Sequence, residues 1–293
     1  MNHQITLSQA IEGFLLSCRS RRLSEHTVSS YRSALKHFSN FVSGNTDITE
    51  INHLHVVEFL SRQPVSNKTL YNYHISISAF YTWAVREELV DQHIMKRVPR
   101  ANPEKPDIIP YTKKDVVAML QASRSQRDPL RYRAIILLLL DTGIRADELC
   151  NLLIHQTDLK NQRINVWGKG AKQRVIPLSS NACQAIWKYL TQRPEANMGE
   201  TTFVTYENKK MNRRRLLDAI QRIGNRAGVV DVTIHRFRHT FAITYLRNGG
   251  DVYTLQRILG HTTLNMVKRY LAIAEADVEK AHKKASPVAN WGL

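Results

Sequence analysis

The stretch Pro99-Arg100-Ala101-Asn102-Pro103-Glu104-Lys105-Pro106-Asp107-Ile108-Ile109-Pro110 decides how this chain is organised. It holds four of the nine prolines of the chain. Proline fixes φ and lacks an amide hydrogen, so a helix cannot continue through such a segment and an extended spacer is favoured. Because 293 residues exceed the usual size of one domain, we predict two domains, 1–98 and 111–285, joined by a linker at 99–110.

The segment before the linker has the pattern of a four-helix domain. Apolar residues recur at helical spacing in 7–20, 24–42, 53–62 and 66–88. Ser24 or Glu25 and Ser66 or Asn67 are placed as N-caps. The aromatic residues follow the same spacing and are expected to form the core rather than a base-stacking surface: Phe14, Tyr31, Phe38, Phe41, Phe59, Tyr73, Phe80 and Trp83.

The segment after the linker combines helices with one hairpin. Helical patterns occur at 112–123, 129–142, 145–153, 181–189, 212–227, 233–248, 251–259, 264–270 and 274–284. Between 163 and 177 polar and apolar residues alternate on both sides of the basic turn Gly168-Lys169-Gly170-Ala171-Lys172, which predicts two antiparallel strands. The predicted fold class is mainly α, with a helical first domain and a mixed second domain that is mostly α with a small antiparallel sheet.

The charge of the chain indicates a polyanionic partner. The net charge is +17, and residues 101–293 contribute 31 Lys and Arg against 17 Asp and Glu. The longest apolar run, 134–140, is far shorter than the roughly 20 residues of a membrane span, and the first residues lack a signal-peptide pattern. We therefore expect a cytoplasmic protein that binds nucleic acid and no membrane. Three widely spaced cysteines, Cys18, Cys150 and Cys183, are expected to be ordinary buried thiols.

Two short basic motifs could hold a phosphate. Arg145 and Glu148 lie three residues apart at a predicted helix start after Gly143, so the carboxylate can orient the guanidinium. Lys169 lies between two glycines in the hairpin turn, where it could donate to a phosphate or to a leaving oxygen. Taken alone, such an ion pair is usually a solvated surface pair, and such a lysine usually protects a sheet edge.

A third motif lies at the start of the predicted helix 233–248. His235, Arg238 and His239 occupy positions i, i+3 and i+4, so they share one face near the helix N-terminus, which favours a phosphate. The alternative is that these side chains form a basic helix face exposed to solvent. For His239, the apolar neighbours Phe237 and Phe241 favour a structural role over a chemical one.

The last candidates are His261, which follows the predicted helix stop Gly260, and Tyr270 nine residues later. Considered alone, such a histidine or such a tyrosine is more often a packed or surface residue than a catalytic one. A phenol becomes a useful nucleophile towards a phosphodiester when cationic donors converge on the same phosphate, because they stabilise the charge that spreads over its oxygens. The motifs above would supply two arginines, a lysine and two histidines.

The order and spacing of these elements closely resemble the tyrosine site-specific recombinases of the phage-integrase family. The resemblance rests on Gly143-x-Arg145-x-x-Glu148, on Gly168-Lys169-Gly170, on His235-x-x-Arg238-His239, and on Leu259-Gly260-His261 with Tyr270. The helical first domain with its linker resembles the core-binding domain of the family, so nearly the whole chain is covered. The short N-terminus is similar to simple two-domain members of the Xer and transposon-integrase type.

The resemblance implies the chemistry of the site. Arg145, Lys169, His235, Arg238, His261 and Tyr270 fill the catalytic roles, and Glu148 and His239 support them. Tyr270 is the nucleophile that forms a 3′-phosphotyrosyl bond, His235 takes its proton, and Lys169 protonates the 5′-oxygen. The mechanism needs no metal and no cofactor.

The expected partner is double-stranded DNA with inverted half-sites, bound by a homo-oligomer that is a tetramer in synapsis. A partner recombinase or an accessory protein remains open, as does the biological context. The expected DNA contacts lie at the starts of helices 66–88 and 212–227 and in the hairpin: Asn67, Lys68, Thr69, Tyr71, Asn72, Lys172, Arg174, Lys209, Lys210, Arg213, Arg214 and Arg215. The alternatives are a type IB topoisomerase, a non-catalytic DNA-binding protein on the same fold, a metal-dependent nuclease, which lacks its cluster of carboxylates here, and an RNA-binding protein, which lacks its aromatic strand motif.

The tail 286–293 is the remaining feature. Pro287 is expected to break the preceding helix, and Val288, Trp291 and Leu293 are apolar side chains that need cover. The tail could fold back on its own domain. The family resemblance suggests instead that it docks in a neighbouring protomer and couples the position of Tyr270 to partner contact.

Overall fold

The computed structural model describes residues 4–103, 107–168, 173–261, 263–274, 282 and 286–291. It divides the chain into two units, Met1–Pro106 and Asp107–Leu293, and this division falls inside the linker predicted at 99–110. Among the described residues, no helix combines the length and the apolar character that a membrane span requires.

Over its described residues, 4–103, the first unit contains four α-helices, and a capping residue precedes each of them. The helices are α1 (Leu7–Ser20), α2 (Glu25–Val42), α3 (His53–Ser61) and α4 (Asn67–Arg86). Thr6, Ser24, Asn52 and Ser66 precede them and accept hydrogen bonds from backbone N–H groups of the first turn. These bonds satisfy donors that have no partner within the helix. The predicted caps Ser24 and Ser66 are therefore confirmed.

The core of the first unit is aromatic, as predicted. Phe14, Phe38, Phe59 and Phe80 are almost completely buried. Their rings meet edge to face, with centroids 5.4 Å apart for Phe38 and Phe59 and 5.8 Å apart for Phe14 and Phe80. The other four aromatic residues named above are partly buried and pack against this core.

The second unit is mostly helical. Its helices are α5 (Lys113–Ala122), α6 (Pro129–Thr142), α7 (Ala146–Asn151), α8 (Ser180–Leu190), α9 (Arg213–Arg226), α10 (Ile234–Arg247), α11 (Val252–Leu259), α12 (Asn265–Ala274) and a short terminal helix, Pro287–Trp291. The apolar run 134–140 lies in α6, which packs against α8 and α10 at the centre of the unit. Cys18 in the first unit and Cys150 and Cys183 in the second are buried and unpaired, as predicted.

A small antiparallel sheet completes the second unit. The strands β1 (Thr157–Asp158), β2 (Arg163–Trp167) and β3 (Gln173–Pro177) pair in that order, with Ile164 opposite Ile176. The predicted hairpin is confirmed, and with it the mainly α fold class. β1 was missed because two residues show no periodicity. The turn of the hairpin, 169–172, lies outside the described residues, and so do the predicted site residues Lys169 and Lys172.

The end of the predicted linker is fixed to α10. Ile108 packs against the cluster that α10 and α12 share, and Arg236 donates from Nε to the carbonyl of Ile109 at 2.9 Å. Tyr111 donates its backbone N–H to Oγ1 of Thr240 at 2.8 Å. Residues 108–110 thus belong to the second unit rather than to a free spacer.

The C-terminal part differs from the expectation in two places. α12 runs to Ala274 instead of ending at Tyr270, so Tyr270 lies inside a helix. Pro287 begins a short terminal helix that the sequence did not predict, and the first turn of a helix does not need the amide hydrogen that proline lacks. Most of the helix predicted at 274–284 lies outside the described residues, as does Leu293.

Candidate active site

The C-terminal end of α11 gathers three arginines. The helix ends at Gly260, which has a left-handed backbone (φ 63°, ψ 46°). Three successive carbonyl groups at this end each accept a hydrogen bond from a different guanidinium: Ile258 from Arg174 Nε at 2.7 Å, Leu259 from Arg238 Nη2 at 2.6 Å, and Gly260 from Arg145 Nη2 at 3.2 Å. The last carbonyls of a helix carry its partial negative charge. The helix end therefore favours a concentration of positive charge at this place.

Glu148 joins two of these arginines. Arg145 caps α7 and donates from Nη1 to Oε1 of Glu148 at 2.9 Å. Arg174, on β3, donates to both carboxylate oxygens at 2.8 Å. The Glu148 side chain is only 6% exposed. Burial by itself raises the pKa of this carboxyl, but the bonds from Arg174 and Arg145 outweigh it and lower the pKa to about 2.

Arg174 has a different place from the one predicted. We expected a DNA contact, but its side chain is 11% exposed and bonds Glu148 and the end of α11. A two-point bond to a buried carboxylate fixes the plane of a guanidinium. Arg174 therefore supports the arginine cluster, and its side chain has protein partners at the place where we predicted a DNA contact.

Arg238 is the most deeply buried of the three arginines. It is 2% exposed and donates to the carbonyl of Gly143 at 2.7 Å as well as to Leu259. Burial, with Arg145 nearby, lowers the pKa of Arg238 to about 10, which leaves it charged at neutral pH. Gly143 has φ +59°, and a Cβ atom there would lie 2.7 Å from the ring of Phe241. This position therefore requires glycine.

His261 follows the end of α11 and is 7% exposed. Its Nε2 lies 2.8 Å from Nη2 of Arg238. Because a guanidinium only donates, Nε2 accepts this bond and the proton of the neutral ring is on Nδ1. Among the described residues, Nδ1 is buried and has no hydrogen-bond partner. Burial and the charges of Arg238 and Arg145 lower the pKa of His261 to about 3, so the ring is neutral at physiological pH.

Tyr270 lies on α12 in contact with the same site. Its side chain is 4% exposed within the cluster formed by α10, α11 and α12. The ring is nearly parallel to that of His261, with centroids 6.3 Å apart. Burial raises the pKa of Tyr270, although Arg238, Arg269 and Arg145 oppose the shift. The phenol is therefore protonated at neutral pH.

The histidine beside the phenol is His239, not His235. Nδ1 of His239 lies 3.0 Å from Oη of Tyr270. His235 is exposed on the first turn of α10, with its ring centroid 4.3 Å from that of His239. We predicted His235 as the acceptor of the Tyr270 proton, but in the described residues His235 makes no hydrogen bond or ring contact with Tyr270. The apolar neighbours of His239 had favoured a structural role for that residue. The sequence signal that could have identified His239 is its position four residues after His235, which puts both imidazole rings on the same face of α10.

The other predicted DNA contacts lie outside this cluster. At the start of α4, Asn67, Lys68 and Asn72 are exposed, and Thr69 and Tyr71 are partly exposed. Lys68 and Arg100 lie over the ring of Tyr71 at 5.2 Å and 5.0 Å from its centroid. Before and within the first turn of α9, Lys209, Lys210, Arg213, Arg214 and Arg215 are exposed.

Fold and site together define a mainly helical protein in which arginines and histidines surround a buried tyrosine. The model of the Phage integrase family matches residues 111–277, and that of the Phage integrase, N-terminal SAM-like domain, matches residues 11–88. The first match covers more than half of the chain. The chain belongs to the phage integrase family.

Similar proteins and solved structures support this family assignment. Tyrosine recombinase XerD of Staphylococcus epidermidis is 26% identical over 285 residues, which cover 90% of this chain and 94% of the relative. The Tn1549 transposon integrase in complex with circular intermediate DNA shares the fold, at 20% identity and a TM-score of 0.78 over 95% of this chain and 99% of that one. A lambda integrase tetramer bound to a Holliday junction also shares the fold, at 18% identity and a TM-score of 0.74 over 88% of this chain and 78% of that one.

Membership in the family establishes the class of reaction. The protein is a tyrosine recombinase, an enzyme that cleaves and rejoins DNA strands in site-specific recombination. The topoisomerase-like and non-catalytic alternatives are not favoured.

Proposed function

We propose that Tyr270 is the nucleophile of this strand cleavage. Its Oη attacks the scissile phosphorus in line, the bond from phosphorus to the 5′-oxygen breaks, and a 3′-phosphotyrosyl bond and a free 5′-hydroxyl form. A 5′-hydroxyl of another strand then reverses the step. The bond energy stays in the phosphotyrosine, so rejoining needs no nucleotide cofactor.

The observation that carries this proposal is the buried Nδ1 of His261, which lies near Arg145 and Arg238 and has no hydrogen-bond partner in the part of the chain that the structure describes. A buried N–H donor without an acceptor costs about 1–3 kcal/mol. A phosphate oxygen would satisfy it, and the positive charges of Arg238 and Arg145 near the His261 ring favour an anion there. Arg145, Arg238 and His261 would then hold the non-bridging oxygens while charge builds on them.

Two further residues complete the proposed catalytic set. Lys169, in the turn between β2 and β3, protonates the departing 5′-oxygen. This assignment rests on the sequence alone. His235, exposed on the first turn of α10, contacts the phosphate from the helix N-terminus, where backbone N–H groups and the helix dipole attract anions.

The proposed substrate is double-stranded DNA with inverted half-sites, brought together by a tetramer of this chain. The net charge of +17 supports a polyanionic partner. The shared fold with the lambda integrase tetramer on a Holliday junction supports the assembly. The exposed basic residues at the start of α9 and the polar residues at the start of α4 are the proposed DNA contacts.

The test is cleavage of a nicked duplex in which the short strand beyond the scissile phosphate diffuses away and traps the covalent complex. The binding site is first recovered by selection from random duplex DNA. We expect the wild type to form a covalent complex and Tyr270→Phe to bind equally well but form none. Arg238→Lys should reduce the rate by about 10²–10³-fold, the loss typical of one donor to a developing oxyanion. Cleavage by Tyr270→Phe would refute the proposed nucleophile.

A further inference from the structure

The contact between His239 and Tyr270 gives the reacting oxygen a specific neighbour. Oη of Tyr270 and Nδ1 of His239 are 3.0 Å apart, within the range in which a proton passes between a phenol and an imidazole. The two residues lie on α10 and α12, which pack closely against each other. The contact is therefore held by helix packing and not by a loop.

The charges around the pair determine its protonation before DNA binds. The groups that face His239 are His235 and Arg238 on α10 and Arg269 and Tyr270 on α12. Burial, with His235 and the two arginines, lowers the pKa of His239 to about 4, so the ring is neutral at physiological pH. A neutral imidazole beside a protonated phenol has a free lone pair for the phenolic proton when Nε2 carries the hydrogen.

We infer that His239 is the catalytic base of strand cleavage and the acid of strand rejoining. This inference rests on the proposed role of Tyr270. During cleavage the proton of Tyr270 moves to Nδ1 of His239, while Oη bonds to phosphorus and the 5′-oxygen leaves with a proton from Lys169. During rejoining the 5′-hydroxyl attacks phosphorus and gives its proton back to the neutral Lys169. The bond from phosphorus to Oη of Tyr270 breaks, and His239 returns its proton to that oxygen.

The same charges make the proton transfer depend on DNA. An imidazolium at His239 would face Arg238 and Arg269. A scissile phosphate held by the arginine cluster supplies negative charge beside these cations and so stabilises the imidazolium. The base therefore becomes effective when a phosphate occupies the site, which prevents Tyr270 from being activated without substrate.

The experiment compares cleavage rates of the full chain and its His239→Asn variant on the nicked duplex. Asparagine puts an amide near the position of Nδ1 and can hold the phenol, but it cannot take a proton. We expect cleavage to be slower by about 10²-fold or more. Half-site binding and thermal unfolding of the variant check its fold, and His239→Gln serves as a second substitution if His239→Asn does not fold.

The pH profile separates a base from a residue that only positions the phenol. Without a base, the variant must wait for the ionised tyrosine, so its rate should rise tenfold per pH unit. The wild type should instead reach a plateau above the pKa of His239 in the DNA complex. Equal profiles, or a variant that cleaves within a few-fold of the wild type, would overturn the inference.

Modified nucleophiles and a modified substrate distinguish the two proton transfers. Fluorinated tyrosines at position 270 have more acidic phenols, and they should reduce the defect of His239→Asn as acidity increases, whereas a purely structural defect would stay constant and overturn the inference. A 5′-bridging phosphorothiolate needs no proton on its leaving group, so it should rescue Lys169→Ala but not His239→Asn. Rescue of His239→Asn would assign His239 to the leaving group instead.

The proposed function can fail separately. If the wild type forms no adduct at Tyr270, the nucleophile assignment is wrong whatever His239 does. If the adduct forms and His239→Asn forms it as fast as the wild type, only the role of His239 is wrong.

Discussion

At the scale of single residues, the arginine cluster depends on one carboxylate. Glu148 uses both of its oxygens on Arg145 and Arg174, and it is 6% exposed. Removing one partner of a buried ion pair typically costs about 3–5 kcal/mol, because the remaining charge stays buried without compensation. Here two guanidiniums would be left facing each other.

We expect Glu148→Gln to lower the free energy of unfolding by about 3 kcal/mol at neutral pH and to slow DNA cleavage. The pKa of Glu148 falls from 4.5 to about 2 on folding. A lowered pKa contributes stability that is complete above the unfolded value and is lost as the pH falls through the folded value. The difference between wild type and variant should thus be full above pH 4.5 and should shrink towards pH 2, as measured by denaturant unfolding across this range.

Glu58→Gln is the matched control for this measurement. Glu58 pairs with Arg62 at 2.6 Å, but both side chains are largely exposed, and exposed pairs contribute little to stability. A loss for Glu148→Gln no larger than that for Glu58→Gln would show that the Glu148 bridge does not hold the site.

The sequence predicted part of this site at residue level. Arg145, Glu148, Arg238, His261 and Tyr270 were expected to converge, and the structure brings them to the end of α11. The spacing of motifs along the chain cannot show which side chain from a distant element meets them. Arg174 reaches Ile258 across 84 positions of sequence, and His239 reaches Tyr270 across 31. Both contacts depend on tertiary packing, which local patterns do not encode.

At the scale of elements, the end of α11 should be the most sensitive part of the scaffold. Gly260 has φ +63°, and a Cβ atom there would lie 3.2 Å from the Arg174 side chain. We expect Gly260→Ala to lose about 1–2 kcal/mol of stability, since a left-handed backbone disfavours a side chain. We also expect it to slow cleavage, because the new methyl group displaces Arg174 and its bond to Glu148.

Gly228→Ala provides the control for strain alone. Gly228 also has a positive φ, +67°, but a Cβ atom there would meet nothing within 4 Å among the described residues. Denaturant unfolding should give both variants similar losses of stability, while trapping assays should show slower cleavage for Gly260→Ala only. Equal cleavage rates would mean that the end of α11 does not position the arginines.

The elements themselves were largely predictable, because their signals are local. N-caps such as Ser24 and Ser66 and the helix stop Gly260 act within a few residues. The strand β1 and the C-terminal extent of α12 were not predicted. β1 has two residues and pairs only because β2 lies beside it, and α12 continues past Tyr270 because Ala274 is buried in the cluster of α10 and α11.

At the scale of the whole molecule, the positive charge should determine how DNA binding responds to salt. Arg213 and Arg215 are exposed at the start of α9. We expect reversal of both to glutamate to weaken DNA binding and to reduce the slope of log affinity against log salt by about 1 for each lost phosphate contact. Footprinting and binding titrations at several salt concentrations measure this. The control reverses Lys160 and Lys188 to glutamate, two exposed lysines elsewhere in the second unit, which changes the net charge by the same amount. Equal effects of the two double variants on DNA affinity and on its salt slope would show that net charge alone is responsible.

The terminal helix should act between protomers. Val288 and Trp291 are 58% and 74% exposed, and a tryptophan that fills a partner pocket is a typical interface anchor worth about 2 kcal/mol or more. We expect deletion of residues 286–293 to leave binding to one half-site unchanged and to abolish synapsis and strand exchange in gel-shift and recombination assays. Trp291→Ala should show the same pattern more weakly. Intact strand exchange, or unfolding of the truncated monomer, would contradict this role.

The most direct test of the central claim is to map the covalent adduct. The trapped complex is digested, and the peptide that carries the 3′-phosphate of the DNA is identified by mass spectrometry. We expect an adduct on Tyr270, although that side chain is 4% exposed and Tyr253 is 68% exposed. An adduct on Tyr253 or Tyr245 would contradict it.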